Sequence, residues 1–467
     1  MMKLKTIFTL IVTILFVSVN AQKASGYIQK EDLNKDFDFL INAIKATHPN
    51  PCTGISKSEF ENKVTMIRQQ FKDSLSLKQY YQYIAPLVAS LQDGHTALTF
   101  PGRKLLNAND ALFPYIVEAK MVKPYLKITE NISPDYNQIP VGAEILKINN
   151  HTAEEIIRKI IENTSGESDM YRLKKSADFN MFAFLFGAFY ELGETVKVSY
   201  KFENQHFEKT VPTVTLTNLM GIAKNRKPAN KNNTTETPDF LLQLKPESKT
   251  AILEIRYFND KEKFQAFLKT SFKTIQDNKI KKLVIDIREN GGGNSALGDE
   301  LLKYLAVTPF RQFDRTLIKY SQLQKDIYAE YCKEDAQYCN QYNYIKEKHN
   351  GAVETFPVKE LILPYAKADR FNGKIFLLTS VRTFSSAMNF AQAFKQYKIG
   401  TVVGEETGGW LVSYGDRIMV NLPVSKIPLS ISTKKFYTVG ATDKDLHGVK
   451  PDVNIKSDAA LDYVIKE

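Results

Sequence analysis

Apolar residues near the start of the chain recur at intervals of three and four. In KEDLNKDFDFLINAIKAT, which begins at Lys30, residues Leu33, Phe37, Leu40, Ile41 and Ile44 share one face, the spacing of an amphipathic helix. KSEFENKVTMIRQQF and LKQYYQYIAPLVASL repeat that spacing, and HPNPCTG between the first two reads as a proline-punctuated loop. At QDGHTALTF the helical period ends at Gly94 and an alternating strand pattern begins. From about residue 106 to 215 the period is two: FPYIVEAKMV, YLKITENI, ETVKVSYKF and HFEKTVPTV predict strands, with an insert over about 166–190. Ala223 to Asp239 is polar and rich in Lys, Asn, Thr and Pro, the composition of a linker. Beyond it TAILEIRYF, KKLVIDIR, KIFLLTS and TVVGEE alternate with helical stretches, which predicts a layered α/β core with parallel strands. Tyr320 to Lys348, polar and rich in Tyr, predicts a surface helical pair inserted in that core. The expected divisions are 22–105 (helical), 106–215 (β), 216–240 (linker) and 241–467 (core, with an inserted helical segment at about 318–352).

The first 21 residues stand apart. MMKLK is basic, TIFTLIVTILFVSV is an apolar run of signal-peptide length, and Val19 and Ala21 are small, so 1–21 predicts a signal peptide cleaved after Ala21. The run is short for a membrane anchor. An exported protein, placed in the periplasm or at the cell surface, is expected, with no membrane span once the signal is gone. In such a compartment Cys332 and Cys339 can pair, leaving Cys52 over. Loss of Lys3 and Lys5 takes the formal charge from +11 to 11 − 2 = +9. The basic residues are scattered and no aromatic-and-basic recognition segment is present, so nucleic acid is not an expected partner.

Spacing excludes several chemistries. The six histidines form no H-E-x-x-H, the cysteines no C-x-x-C, and no phosphate-binding glycine motif follows a strand. Neither metal nor cofactor is expected. A G-x-S-x-G elbow is also missing. Two stretches invite chemistry. In LVIDIRENGGGN (Leu283–Asn294) a buried strand runs into three glycines, whose amides can meet an oxyanion or simply make a tight turn. In LLTSVRTFSSAMNFAQAFKQY (Leu377–Tyr397) a strand stops at TFSS and a helix begins. Ser385 and Ser386 fall at that helix N-terminus, where serine serves as a cap and where the helix dipole also favours developing negative charge. Local pattern leaves cap and nucleophile both open, because a nucleophilic serine needs a base.

The order of motifs resembles the serine peptidases of the C-terminal-processing and tricorn-core family. D-G-H-T (Asp93–Thr96) follows a helical region. VGAEILKI (Val141–Ile148) resembles a PDZ domain, with Ala143-Glu144 where Asp is usual. D-I-R-E-N-G-G-G-N (Asp286–Asn294), T-S-V-R-T-F-S-S-A (Thr379–Ala387), V-V-G-E-E-T-G-G (Val402–Gly409) and H-G-V-K-P-D (His447–Asp452) then follow in the family's order. Trp410 falls where one branch of the family places a catalytic Lys, so the chain is similar to the tricorn-like branch that uses Ser, His and an acid.

The resemblance implies a multidomain α+β protein: an N-terminal helical part, a PDZ-like β domain, and a catalytic core of the crotonase- and ClpP-like α/β spiral type. It implies Ser385 as nucleophile, His95 as base, and Asp445, three before Gly448, as the acid. Ser386 with Gly292 or Gly293 supplies the oxyanion amides. His447 is the competing base, and His48 in T-H-P-N-P reads as a loop-packing residue. Expected partners are peptide or protein substrates, engaged through their C-termini by the PDZ-like unit. Two rival functions stay open: a peptide-binding envelope protein that keeps the fold without turnover, and hydrolysis of a non-peptide ester or amide.

Overall fold

The N-terminal helical spacing is realised as α1 (Lys30–Thr47), α2 (Lys57–Gln69) and α3 (Leu77–Ala89), described here from a computed structural model. The structure describes residues 27–121, 124–132, 134–177, 181–225 and 238–467; the expected signal peptide and residues 226–237 lie outside it. Ser56 and Ser76 begin α2 and α3 with reciprocal capping boxes to Glu59 and Gln79. The apolar face of α1 buries Leu33, Phe37, Leu40, Ile41 and Ile44 against Tyr80, Ile84, Leu87 and Val88 of α3 in one cluster. Short strands Tyr27–Gln29 and Ser74–Ser76 pair at its margin.

The next region carries β1 (Tyr115–Lys120), β2 (Tyr125–Asn131), β3 (Glu144–Ile148), β4 (Thr195–Phe202) and β5 (Gln205–Pro212). They pair antiparallel in the order β5-β4-β3-β2-β1. Helix α4 (Ala153–Glu162), begun by a Thr152–Glu155 capping box, buries Ile156, Ile157, Ile160 and Ile161 in this unit's own core. Two further helices, α5 (Asp169–Ala177) and α6 (Met181–Phe189), come from the stretch read as an insert. Residues 216–225 are a helix, α7 (Leu216–Asn225), rather than the start of a linker: Leu216 and Leu219 are buried against the N-terminal cluster.

The last region alternates β6 (Phe240–Lys245), β7 (Thr250–Ile255), α8 (Lys261–Asp277), β8 (Lys282–Asp286), α9 (Ser295–Lys303) and β9 (Phe313–Lys319). Helices α10 (Gln322–Glu334) and α11 (Cys339–Ile345) follow, then β10 (Val353–Pro357), β11 (Lys374–Thr379), α12 (Ser386–Gln396) and β12 (Thr401–Gly404). The chain closes with β13 (Val412–Asn421), β14 (Pro428–Thr438), β15 (Val453–Asn454) and α13 (Ala460–Lys466). One sheet runs β6-β7-β8-β11-β12-β15 and is parallel from β7 onward. Its strands read as continuous apolar runs because helices cover it: α8, α9 and α12 pack over one face and α13 over the other. A second, antiparallel sheet runs β10-β9-β14-β13.

Three contacts join the regions. Ala97–Leu98, just after D-G-H-T, pairs with Ser430 and Leu429 of β14. The buried Asp36 carboxylate of α1 accepts amide hydrogen bonds from Val424 and Ser425 between β13 and β14. The pair α10–α11, linked by a disulfide between Cys332 and Cys339, buries Tyr328 and Ile345 in the N-terminal cluster, and Cys52 is free.

Candidate active site

Strand β11 ends at Thr379, and the turn that follows is fixed before it reaches the serines. Thr383 donates its hydroxyl to the Ile287 carbonyl at 2.9 Å, and the Phe384 amide donates to the Asn290 carbonyl at 3.1 Å. Ser385 then takes φ 52° and ψ −126°, a region that non-glycine residues rarely occupy and that costs of order 1–3 kcal/mol. Helix α12 starts at the next residue. Ser385 makes no side-chain cap bond; its hydroxyl is held out of the helix. Ser386 donates its hydroxyl to the Gly293 carbonyl at 2.6 Å. Of the two serines, only Ser385 presents its oxygen to another catalytic group.

That group is His95, whose Nε2 lies 3.1 Å from Ser385 Oγ although the residues are 290 apart in sequence. The composition of D-G-H-T explains how a loop delivers the ring. Asp93, fully buried, accepts from the His95 backbone amide at 2.8 Å, from Ser432 Oγ at 2.6 Å, and pairs with His48 Nε2 at 3.1 Å. Thr96 Oγ1 accepts from the Ser432 amide, and Ser430 donates to the His95 carbonyl. Gly94 leaves no room for a side chain: a Cβ there would sit 2.7 Å from the Phe384 ring and 2.9 Å from Glu167. The Phe384 ring stacks on the His95 imidazole with centroids 5.0 Å apart.

His48 lies outside the cleft. Its ring is fully buried, accepts from the Asn50 amide on Nδ1 at 3.1 Å, and so donates from Nε2 to Asp93. Burial works against the Asp93 charge, but hydrogen bonds from His48 and His95 outweigh it and hold that carboxyl well below the usual carboxylate range.

The oxyanion amides require a correction. Gly292 does not offer its amide to the cleft, because that N–H donates to Asn290 Oδ1 at 2.8 Å. Its role is closeness: a Cβ at Gly292 would lie 2.7 Å from Ser385 Cβ. Gly293 forms a parallel bridge with Phe258 through the Gly292 carbonyl and the Asn294 amide, which leaves the Gly293 N–H outside the bridge. Gly293 and Ser386 both line the cleft, and Ser386 begins α12, where the amides have no helical acceptor. Asn290, buried and donating also to the Ile255 carbonyl, organises this loop.

The expected acid, Asp445, also needs correction. Its carboxylate accepts from both the amide and the hydroxyl of Thr442 at 2.8 Å, closing a turn, and those bonds hold its carboxyl below the ordinary range. Its imidazole neighbour is His447, at 3.6 Å, and not His95. The Nδ1 of His95 is buried without a hydrogen-bond partner. His447 itself donates Nδ1–H to the Gly448 carbonyl and is not among the residues lining the cleft. The two closing motifs join each other: Gly448 donates to Glu406, and Val449 to Thr407 Oγ1.

The cleft over Ser385 has a volume of about 610 Å³ and gathers residues the sequence did not single out. Tyr171 and Lys175 arrive on α5, and Tyr414, Asp416 and Arg417 on β13. Glu167, on the loop before α5, stands behind His95 and is 2% exposed. Asp93, His95 and Glu167 place one donor atom each within 4.8 Å of one another, the one acid-and-histidine group among the described residues with the spacing of a metal site. Both Asp93 oxygens, however, already accept hydrogen bonds.

The profile of peptidase family S41 matches residues 249–455. Among solved structures, mature CPAF is similar at 15% identity with a TM-score of 0.63, covering 93% of this chain and 97% of that one. Mature CPAF complexed with lactacystin is similar at 15% identity and 0.63, over 93% and 98%. The photosystem II D1 C-terminal processing protease gives 14% identity and 0.40, over 91% and 92%. At these identities the likeness to CPAF speaks for the fold. No curated protein sequence matches. Through the α/β core that carries the serine, the chain belongs to peptidase family S41, the serine-type peptidases.

Proposed function

We propose that the protein is an exported peptidase in which Ser385 attacks a peptide carbonyl and His95 takes its proton, then returns it to the leaving amine. The observation that carries this reading is the 3.1 Å contact between His95 Nε2 and Ser385 Oγ, made by a serine held in a strained conformation at a helix N-terminus. The amides of Gly293 and Ser386 receive the oxyanion. The chain is a peptidase without the Lys dyad, since Trp410 is buried at the Lys position. Asp445 is not carried forward as the acid because its carboxylate is spent on Thr442. We read the β1–β5 unit as PDZ-like and the core as a crotonase-like spiral, with the unit's sheet edge able to take a substrate C-terminus by strand addition. The signal-like residues 1–21 support export.

The test is a cleavage map of a mixed peptide library by mass spectrometry, comparing the mature protein with Ser385→Ala. Cleavage that vanishes in the variant is the expected result. Equal cleavage by both would exclude Ser385, and none by either folded protein would favour a binding protein on the same fold.

A further inference from the structure

The insert between α4 and α6 does more than decorate the β unit. Arg172 of α5 is buried and donates Nε–H to the Gly166 carbonyl at 2.7 Å and Nη2–H to the Ala89 carbonyl at 3.0 Å, tying the loop to the end of α3. Gly166 is packed against Tyr171 and Arg172, with no space for a Cβ. Tyr171 stacks on Phe384 at 4.2 Å, and Phe384 stacks on His95. The loop is thus clamped over the base, and it carries Glu167. Both Glu167 oxygens are buried without a hydrogen-bond partner, and so is His95 Nδ1. Asp93, the other acid here, lies 3.8 Å from that nitrogen, beyond hydrogen-bond reach, with its oxygens already serving His48, Ser432 and the His95 amide.

We propose that Glu167 is the positioning acid of this site: its carboxyl closes on His95 Nδ1, fixes the tautomer that leaves Nε2 free to accept the Ser385 proton, and stabilises the imidazolium. This rests on the reading of Ser385 and His95 given above. Since the three donor atoms lie within 4.8 Å, a side-chain movement of roughly 1–2 Å completes the bond. Such hydrogen bonds commonly tighten only when substrate binds. The proton balance is simple. Ser385 Oγ–H passes to Nε2, Nδ1–H is held by the acid pair, and the proton on Nε2 leaves with the amine. The charged groups facing Glu167 are Asp93 and His95 from the D-G-H-T loop and Lys175 and Arg172 from α5. Burial, then the Asp93 charge, push the Glu167 carboxyl up to about 8, so the proton it holds near neutrality is loosened as the imidazolium forms beside it.

The experiment compares wild type, Glu167→Gln, Glu167→Asp and Asp445→Asn in the full mature chain. For the amide variant, kcat is expected to fall about 10²- to 10⁴-fold with KM within threefold. Its acidic limb of kcat/KM should move to lower pH by roughly one unit. The aspartate variant should recover part of the rate, and Asp445→Asn should stay within threefold of wild type. Loss in Asp445→Asn with Glu167→Gln unaffected would return the role to Asp445; no loss in either would leave Asp93 sufficient. Both results overturn the proposal. A second measurement does not depend on turnover: the His95 titration followed by nitrogen NMR in Ser385→Ala and Ser385→Ala/Glu167→Gln. The pKa of His95 should fall by roughly one unit on adding the amide. An unmoved titration overturns the proposal even if no peptide is ever found to be cleaved, whereas a shifted titration with no cleavage sinks only the peptidase reading.

Discussion

Ser385 shows what a single residue needs before it can be called a nucleophile. Its position at a helix start fits a cap equally well, and the distinction lies in two quantities no local pattern contains: a φ of 52° and a histidine 3.1 Å away. The glycine run before it has the same character. Three consecutive glycines look interchangeable in LVIDIRENGGGN, yet a Cβ on Gly291 meets nothing within 4 Å, while one on Gly292, at φ 111°, meets Ser385 Cβ at 2.7 Å and the Ser386 amide at 3.1 Å. Gly291→Ala should therefore keep kcat within threefold. Gly292→Ala should displace the nucleophile and cost about 10²-fold or more in kcat, since small misplacements carry that penalty, together with roughly 1–3 kcal/mol of stability. Steady-state kinetics and denaturant melts on the two variants check this pair. Equal effects would mean that the loop tolerates side chains by moving away from Ser385.

Among the elements, those with one strong period were legible and those defined by partners were not. The three N-terminal helices and the parallel strands are readable because their apolar residues face a single core. The helix over 216–225 was hidden by polar neighbours, and only the burial of Leu216 and Leu219 against another region makes it a helix. The insert was visible only as an interruption of the β pattern. That it delivers Glu167 to His95 depends on Arg172 reaching the Ala89 carbonyl, a contact spanning 83 residues. The same distance problem made Asp445 look like the acid: its spacing from Gly448 fits, but a local turn with Thr442 takes the carboxylate. The insert also has a stability signature. The Glu167 carboxyl is raised from an ordinary 4.5 to about 8 by burial and by Asp93. A raised carboxyl pKa means that between those values the folded protein holds a proton the unfolded chain has released. Stability from this group is thus full below about 4.5 and falls as pH rises toward 8, by at most about 1.4 kcal/mol per pH unit. Glu167→Gln should melt higher than wild type, with the gap widening from pH 5 to pH 8. Melting curves at those two values decide it. A gap that stays constant or narrows would show that Glu167 is ionised in the fold.

For the molecule as a whole, the site exists only where separate regions meet. The core supplies Ser385 and the Gly293 and Ser386 amides, while the helical region supplies His95, docked by Ala97–Leu98 on β14 and by Asp36 at the turn after β13. The inserted pair α10–α11 acts on the same junction from the other side, since Tyr320, Tyr328 and Ile345 belong to the N-terminal cluster although they stem from the core. Its disulfide joins residues seven apart and lies outside the cleft lining. A link of that length is expected to stabilise by ~2–3 kcal/mol, chiefly by restricting the unfolded chain. It touches no reacting group. Cys332→Ser/Cys339→Ser should therefore lower the melting temperature by a few degrees, with reducing agent producing the same shift in wild type and none in the variant, while kcat measured well below the transition stays unchanged. A fall in kcat at such a temperature would mean instead that the clamp sets the distance between His95 and Ser385, making the junction, and not either region alone, the unit on which activity depends.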